Sequence, residues 1–183
     1  YFENVVADGL TGVVIKGKGK VTIDGGAAGS ALHISNGFGI FVEKLTLRGG
    51  NPHGLEITDS MEVIVENCDV EGGAGDGIHA ERTDYLLIEK CTIVGGVGDG
   101  IAVDDSEFIY IEKVRIEMTG GDGISMSAGL VQTTDDAWVV KTLIIDAGGD
   151  GIDMNGMYNG VVKTKIFGTG GDGIRMESSE ETD

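Results

Sequence analysis

Polar and apolar residues alternate over short stretches of this chain, and the stretches themselves recur. Ile78-His79-Ala80-Glu81, Ile101-Ala102-Val103-Asp104, Ile124-Ser125-Met126-Ser127, Ile152-Asp153-Met154-Asn155 and Ile174-Arg175-Met176-Glu177 share one pattern. A two-residue period predicts strands that bury one face and expose the other. Gly-Asp-Gly introduces each of them, and the aspartates are 23, 23, 28 and 22 residues apart. The phase also runs backward: Leu55 lies 23 residues before Ile78, and Leu32 lies 23 before Leu55. There His53 and then Ser30 hold the place of the aspartate.

Each repeat continues alike. A polar turn leads to a second, aliphatic strand ending at Val42, Val65, Ile88, Ile111, Val140 and Val162, closed by a polar pair such as Glu43-Lys44 or Lys141-Thr142. A third short strand, as at 45–47, 68–70, 91–93 and 114–116, precedes a glycine-rich corner. Three strands in 22–23 residues leave no room for hairpins, but they suit a coil whose turns stack as parallel sheets about 4.8 Å apart. The expected fold is all-β, a single-stranded parallel β-helix of about seven rungs in one domain over 1–183. The rungs fall near 9–30, 31–53, 54–76, 77–99, 100–122, 123–150 and 151–172, with a partial rung and acidic tail at 173–183. Period-two alternation and glycine density exclude an α-solenoid of similar period.

On these residues the chain resembles the right-handed parallel β-helix of the pectin-lyase-like superfamily, with its NosD-type and polysaccharide-enzyme repeats. The opening "YFENVV" and "GLTGVVIKGKGKVTIDG" look like the usual first turns of such a helix. The resemblance covers nearly the whole chain and implies the architecture. It leaves the chemistry open, because the superfamily holds lyases, hydrolases, epimerases, esterases, adhesins and non-catalytic modules.

Composition narrows the partners. Thirteen basic and thirty-one acidic residues give a net charge of −18, so nucleic acid and anionic membranes are repelled at long range. No apolar run approaches the ~20 residues that span a bilayer. The chain opens in mid-pattern without an initiating Met, which reads as a piece of something longer. Cys68 and Cys91 stack in an inward column with Leu45, Val114 and Leu143, and are expected as buried, reduced thiols.

Residues at one rung position stack into ladders. Asp76, Asp99, Asp122, Asp150 and Asp172 form an acidic ladder whose repulsion requires backbone donors, raised pKa values or calcium between rungs. The flanking glycines are expected to permit positive φ there, letting each aspartate cap backbone donors locally. A ladder that recurs in every later rung reads as structural, with calcium bound between rungs as the alternative; no cofactor is required. On the outward face of the first sheet, His33, Glu56 and His79 occupy consecutive rungs and form a candidate divalent-metal set. Asp104, Asp153 and His79 are the candidate catalytic residues if the chain is an enzyme. Outside the second sheet, Phe41, Ile64, Leu87, Tyr110, Val139 and Val161, with Tyr85 and Phe108 beside them, make an apolar stripe that reads as an interface with another subunit or another segment of a longer chain.

The motifs of known enzymes of this fold are incomplete. The chain resembles polygalacturonases in motif order, but Gly98 replaces the first acid of the paired carboxylates and Asp122 stands where a histidine belongs. Asn51-Pro52-His53 resembles the Asp-Pro-His motif of alginate lyases and epimerases with its acid replaced. The rungs lack long walls; only the insertion near Ala128–Asp136 departs from the minimum. The sequence therefore favours a non-catalytic extracellular or cell-surface module, or a periplasmic one, that self-associates, possibly end to end. The alternative is a carbohydrate-active enzyme, a lyase, hydrolase or epimerase, acting on polysaccharide along the first sheet, with binding without chemistry as a third outcome.

Overall fold

The computed structural model describes residues 3–127 and 135–177, so the insertion singled out above lies largely outside the described residues. Within them the chain is all-β and coils as a parallel solenoid, with three strands per rung. First strands run from Val5–Asp8 and Leu32–Ser35 up to Ile152–Asn155 and Ile174–Glu177, every one paired in parallel with the next. Two rungs fuse their first and second strands into the twelve-residue segments Leu55–Glu66 and Ile78–Glu89. The third strands form a separate seven-stranded parallel sheet.

The core is a bundle of inward columns. Leu32, Leu55, Ile78, Ile101, Ile124 and Ile152 stack in register and are fully buried. Ile40, Val63, Leu86 and Ile109 do the same on the second strand, and Leu47, Val70, Ile93, Ile116 and Ile144 on the third. Each such side chain contributes about 1.5–3 kcal/mol of burial. Cys68 and Cys91 are free thiols inside this core. Each thiol donates to a carbonyl two residues back, Cys68 to Glu66 and Cys91 to Glu89. The neighbouring thiol and burial push Cys91 up, so it stays protonated.

Chain direction changes at columns of left-handed residues. Between first and second strands, Gly12, Gly39, Glu62, Tyr85, Phe108 and Asp136 have φ between 52° and 66°. Between second and third strands, Lys44, Asn67, Lys90, Lys113, Lys141 and Lys163 have φ of 50–57°. Most of these are not glycine, an uncommon conformation for side chains with a Cβ. At the second corner the lysines alternate with stacked glutamates: Lys90 meets Glu66 and Glu89, Lys113 meets Glu89 and Glu112, and Lys141 meets Glu112. These pairs are exposed, so they relieve repulsion between the glutamates more than they add stability.

The Gly-Asp-Gly corners differ from expectation: none of their glycines has positive φ. They are glycine because nothing larger fits. A Cβ on Gly98, Gly121, Gly149 or Gly171 would sit 2.1–2.2 Å from Oδ1 of the previous rung's aspartate. On Gly77, Gly100, Gly123 or Gly151 it would sit 2.4–2.7 Å from the next rung's glycine carbonyl and 2.5–2.6 Å from an isoleucine methyl of the third sheet. Close approach, not backbone freedom, selects glycine at both positions.

The outer stripe is also corrected at its upper end. Phe41, Ile64, Leu87 and Tyr110 stack as expected, but Tyr110 pairs with Trp138 and Trp138 with Gly160. Val139 and Val161 belong one residue inward, with Val139 fully buried and Val161 packed on the core. The shift arises because Val140 occupies the column of Glu112, so the polar pair that marks the corner comes one residue late. For the same reason Leu143 pairs with Arg115, and Thr142, not Leu143, continues the buried column of the two thiols.

Candidate functional site

The acidic ladder is a chain of side-chain caps. The Asp99 amide donates to Oδ1 of Asp76 at 2.9 Å, Asp122 to Asp99 at 2.7 Å, Asp150 to Asp122 at 2.6 Å and Asp172 to Asp150 at 2.6 Å. Below it, the Asp76 amide donates to Nδ1 of His53 at 3.1 Å and the His53 amide to Oγ of Ser30 at 3.4 Å. Every member from Ser30 to Asp150 thus accepts the N–H of the rung above, which accounts for the one column shared by Ser30, His53 and the aspartates. The capping runs between rungs and is not local. Half-burial pushes Asp99 up to about 6; the charges of Asp76, Asp122 and Asp104 add to this against the opposing Asp122 N–H.

At the ladder's lower end the structure brings together three side chains. The His53 and His79 rings stack with centroids 4.4 Å apart and planes 10° from parallel. Oδ2 of Asp76 lies 3.3 Å from Nδ1 of His53 and 3.1 Å from Nδ1 of His79. All three side chains are 14–19% exposed. The hydrogen bond to Asp76 raises His79 despite burial, whereas burial lowers His53, helped by the charge of His79. Burial raises Asp76, but the His79 hydrogen bond, the Asp99 N–H and both histidines outweigh it and hold the carboxyl low.

The metal set expected on His33, Glu56 and His79 is in register on consecutive rungs but does not converge. His33 Nε2 faces Oγ1 of Thr58 at 3.2 Å, and Glu56 accepts from Oγ of Ser30 at 2.7 Å. Among the described residues, the one group of three His, Cys, Asp or Glu side chains with converging ligand atoms is His53, Asp76 and His79. His53 was legible only as a substitution in the ladder column. The sequence signal available for the cluster, which the column reading passes over, is two histidines breaking the repeat on successive rungs.

Of the candidate catalytic residues, Asp104 lies one rung above the level of His79 and its charge helps raise that histidine, whereas Asp153 stands apart from both. Asp153 shares the column of His79 three rungs higher, about 14 Å away at the spacing of parallel strands. Asp104 stands in the column of Glu81 and Ser127, accepts from the Ser127 hydroxyl, and lies two rungs below the level of Asp153. By strand geometry this puts the Cα atoms of the two residues ~12 Å apart, wider than the ~5–9.5 Å between carboxylates that glycoside hydrolysis uses. Asp153 lies 3.8 Å from Arg175, and burial raises it against that pull.

The second sheet carries an aromatic surface. Phe41, Tyr110 and Trp138 lie in one outward column, 39–45% exposed. Tyr85 and Phe108, 52% and 42% exposed, stack beside it with centroids 4.6 Å apart and planes 11° from parallel. Together with Ile64, Leu87 and Glu62, the four lower aromatics line a shallow groove parallel to the solenoid axis. Trp138, next in the column above Tyr110, lies over Gly160, where a Cβ would meet its ring at 2.5 Å.

A solenoid with these columns, caps and sheets is a β-helix, and the family comparison agrees: the profile described as right handed beta helix region matches residues 1–182. The chain belongs to that family of right-handed β-helices. No curated protein sequence matches it. Among solved structures it resembles full-length tailspike protein 2 from an Escherichia coli O157:H7 bacteriophage (14% identity, TM-score 0.60, covering 92% of this chain and 24% of that one). It also resembles a double mutant of the periplasmic alginate epimerase AlgG (18% identity, TM-score 0.60, 98% and 44%). A third likeness is the A-module of the Azotobacter vinelandii mannuronan C-5 epimerase AlgE4 (14% identity, TM-score 0.52, 97% and 56%). The chain thus spans about a quarter to somewhat over half of each neighbour, and at these identities the likeness is one of fold.

Proposed function

We propose that this protein is a carbohydrate-directed β-helix that receives a glycan along the aromatic groove of its second sheet. The observation that carries the reading is the shelf of Phe41, Tyr85, Phe108, Tyr110 and Trp138, spread over five rungs with Ile64 filling the rung between Phe41 and Tyr85. Sugar rings offer apolar C–H faces to aromatic planes, while their hydroxyls seek polar groups at the rim. Five rungs of column span about 19 Å, enough for a short run of sugar units. Glu62 lines the groove, and the net charge is −18, so the fitting ligand is a neutral glycan and not a polyuronate. The distance between the carboxylates of Asp104 and Asp153 supports binding over glycoside hydrolysis. A glycan ligand places the protein outside the cytoplasm, at the cell surface or in the periplasm, in keeping with the tailspike and the periplasmic epimerase that share its fold.

A second reading, self-association through the same stripe, is favoured by its continuous apolar column of Phe41, Ile64, Leu87 and Tyr110. Affinity electrophoresis through gels containing neutral or acidic polysaccharides, run beside light scattering, separates the two. Carbohydrate binding predicts retardation by a neutral polysaccharide, lost in Phe108→Ala, at constant monomer mass. Retardation by none of them, with a mass that rises with concentration and returns to monomer in Phe108→Ala, overturns it for self-association.

A further inference from the structure

The stacked imidazoles at the lower end of the ladder lie on the first sheet, away from the aromatic groove; His53 caps the Asp76 N–H, a task aspartates perform on the rungs above, and His79 lies outside the ladder column. We propose that His53, Asp76 and His79 bind one divalent transition-metal ion, with zinc as the fitting metal. The three ligand atoms lie within 4.8 Å of one another, and Oδ2 of Asp76 sits between the two Nδ1 atoms at 3.3 and 3.1 Å. Two nitrogens and one carboxylate oxygen are a zinc donor set that leaves a fourth position for water. Calcium, which takes six to eight oxygens, does not suit it.

Three further features support the assignment. First, by accepting the Asp76 N–H at 3.1 Å, Nδ1 of His53 is the unprotonated ring nitrogen, 3.3 Å from a carboxylate oxygen, and an ion bound there takes over the lone pair that this N–H now uses. Two acceptors held this close in a half-buried place are relieved by a cation shared between them. Second, Oδ1 of Asp76 accepts the Asp99 N–H at 2.9 Å, which fixes the carboxylate so that Oδ2 points at the histidines. Such outer hydrogen bonds orient metal ligands. Third, both histidines depart from the repeat: aspartate follows in the column of His53, and Ala102 and Ser125 follow His79. A structural ladder needs neither imidazole.

The test is calorimetric titration of chelator-treated protein with zinc, beside cobalt absorption spectroscopy. The expected result is one ion per chain with a Kd of about 1 µM or tighter, and intense visible cobalt bands of a four-coordinate site. His79→Ala adopts the residue of the next rung, and His53→Asn keeps an oxygen that can accept the Asp76 N–H, so both variants suit the fold. Each should weaken zinc at least tenfold, while His33→Ala should leave it within twofold. Zinc binding unchanged in both variants, loss in His33→Ala equal to that in His79→Ala, or absence of saturable binding overturns the proposal. Should a variant fail to fold, the wild-type cobalt spectrum decides: weak six-coordinate bands overturn the assignment, and intense four-coordinate bands support it.

Discussion

Replacing Asp99 by Asn isolates the electrostatic burden of the ladder. The Asn side chain keeps an oxygen to accept the Asp122 N–H, so the 2.7 Å cap survives while the charge is removed. Asp99 titrates at about 6 in the fold against 3.8 for an ordinary carboxyl. A folded pKa above the unfolded one means stability that is complete below about pH 3.8 and lost as pH rises through about 6. A displacement of roughly two pH units corresponds to about 3 kcal/mol, which partial solvent access reduces to about 1–3 kcal/mol. At pH 8 Asp99→Asn should therefore be more stable than the parent by about 1–3 kcal/mol, a rise in Tm of several degrees for a chain of this length. Near pH 4 the two should converge. Urea melts of both proteins across this range, with and without calcium, measure the difference directly. A difference that does not change with pH, or a parent more stable at pH 8, would refute the reasoning. A parent rescued by calcium alone would show that the ladder holds a cation.

Other perturbations follow from the same geometry. Asp76→Asn should act in the opposite sense, because Asp76 is held low and His79 high. The stability from Asp76 is present above about pH 3.8 and lost as pH falls through its lowered value; that from His79 is present below about 6.5 and lost as pH rises through its raised value. The variant's deficit, about 1–2 kcal/mol, should peak near pH 5–6 in melts, and a flat profile would contradict the pairing. Gly121→Ala drives a Cβ to 2.2 Å from Oδ1 of Asp99 and should lower stability by about 2–4 kcal/mol in denaturant melts. A neutral result would remove close approach as the reason for glycine. Cys68 and Cys91 should resist a thiol reagent until the protein unfolds, so rapid native labelling would contradict their place in the core.

The architecture was legible because the repeat is a physical consequence of stacking. Residues on one column share one environment, so Leu32 through Ile174 could be aligned before any strand was seen. What failed was local. Val140 took a place that earlier rungs give to glutamate, and this moved the stripe from Trp138 and Gly160 to Val139 and Val161. The purpose of the Gly-Asp-Gly glycines was hidden because it depends on distances between rungs, which the sequence does not encode as spacing. The meeting of His53 with His79 was hidden for a similar reason. The two lie in different columns, and the carboxylate that joins them belongs to a third residue whose ladder role concealed it.

The chain's single tryptophan stands on the proposed glycan shelf and reports on it without labels. Titrating the protein with neutral oligosaccharides of increasing length, while following Trp138 fluorescence, tests the central claim most directly. The account predicts a saturable change in emission that strengthens with chain length, is lost in Phe108→Ala and is unaffected by His79→Ala. Unchanged emission across neutral glycans, with saturable binding seen only for polyuronates or only outside the shelf, would contradict it.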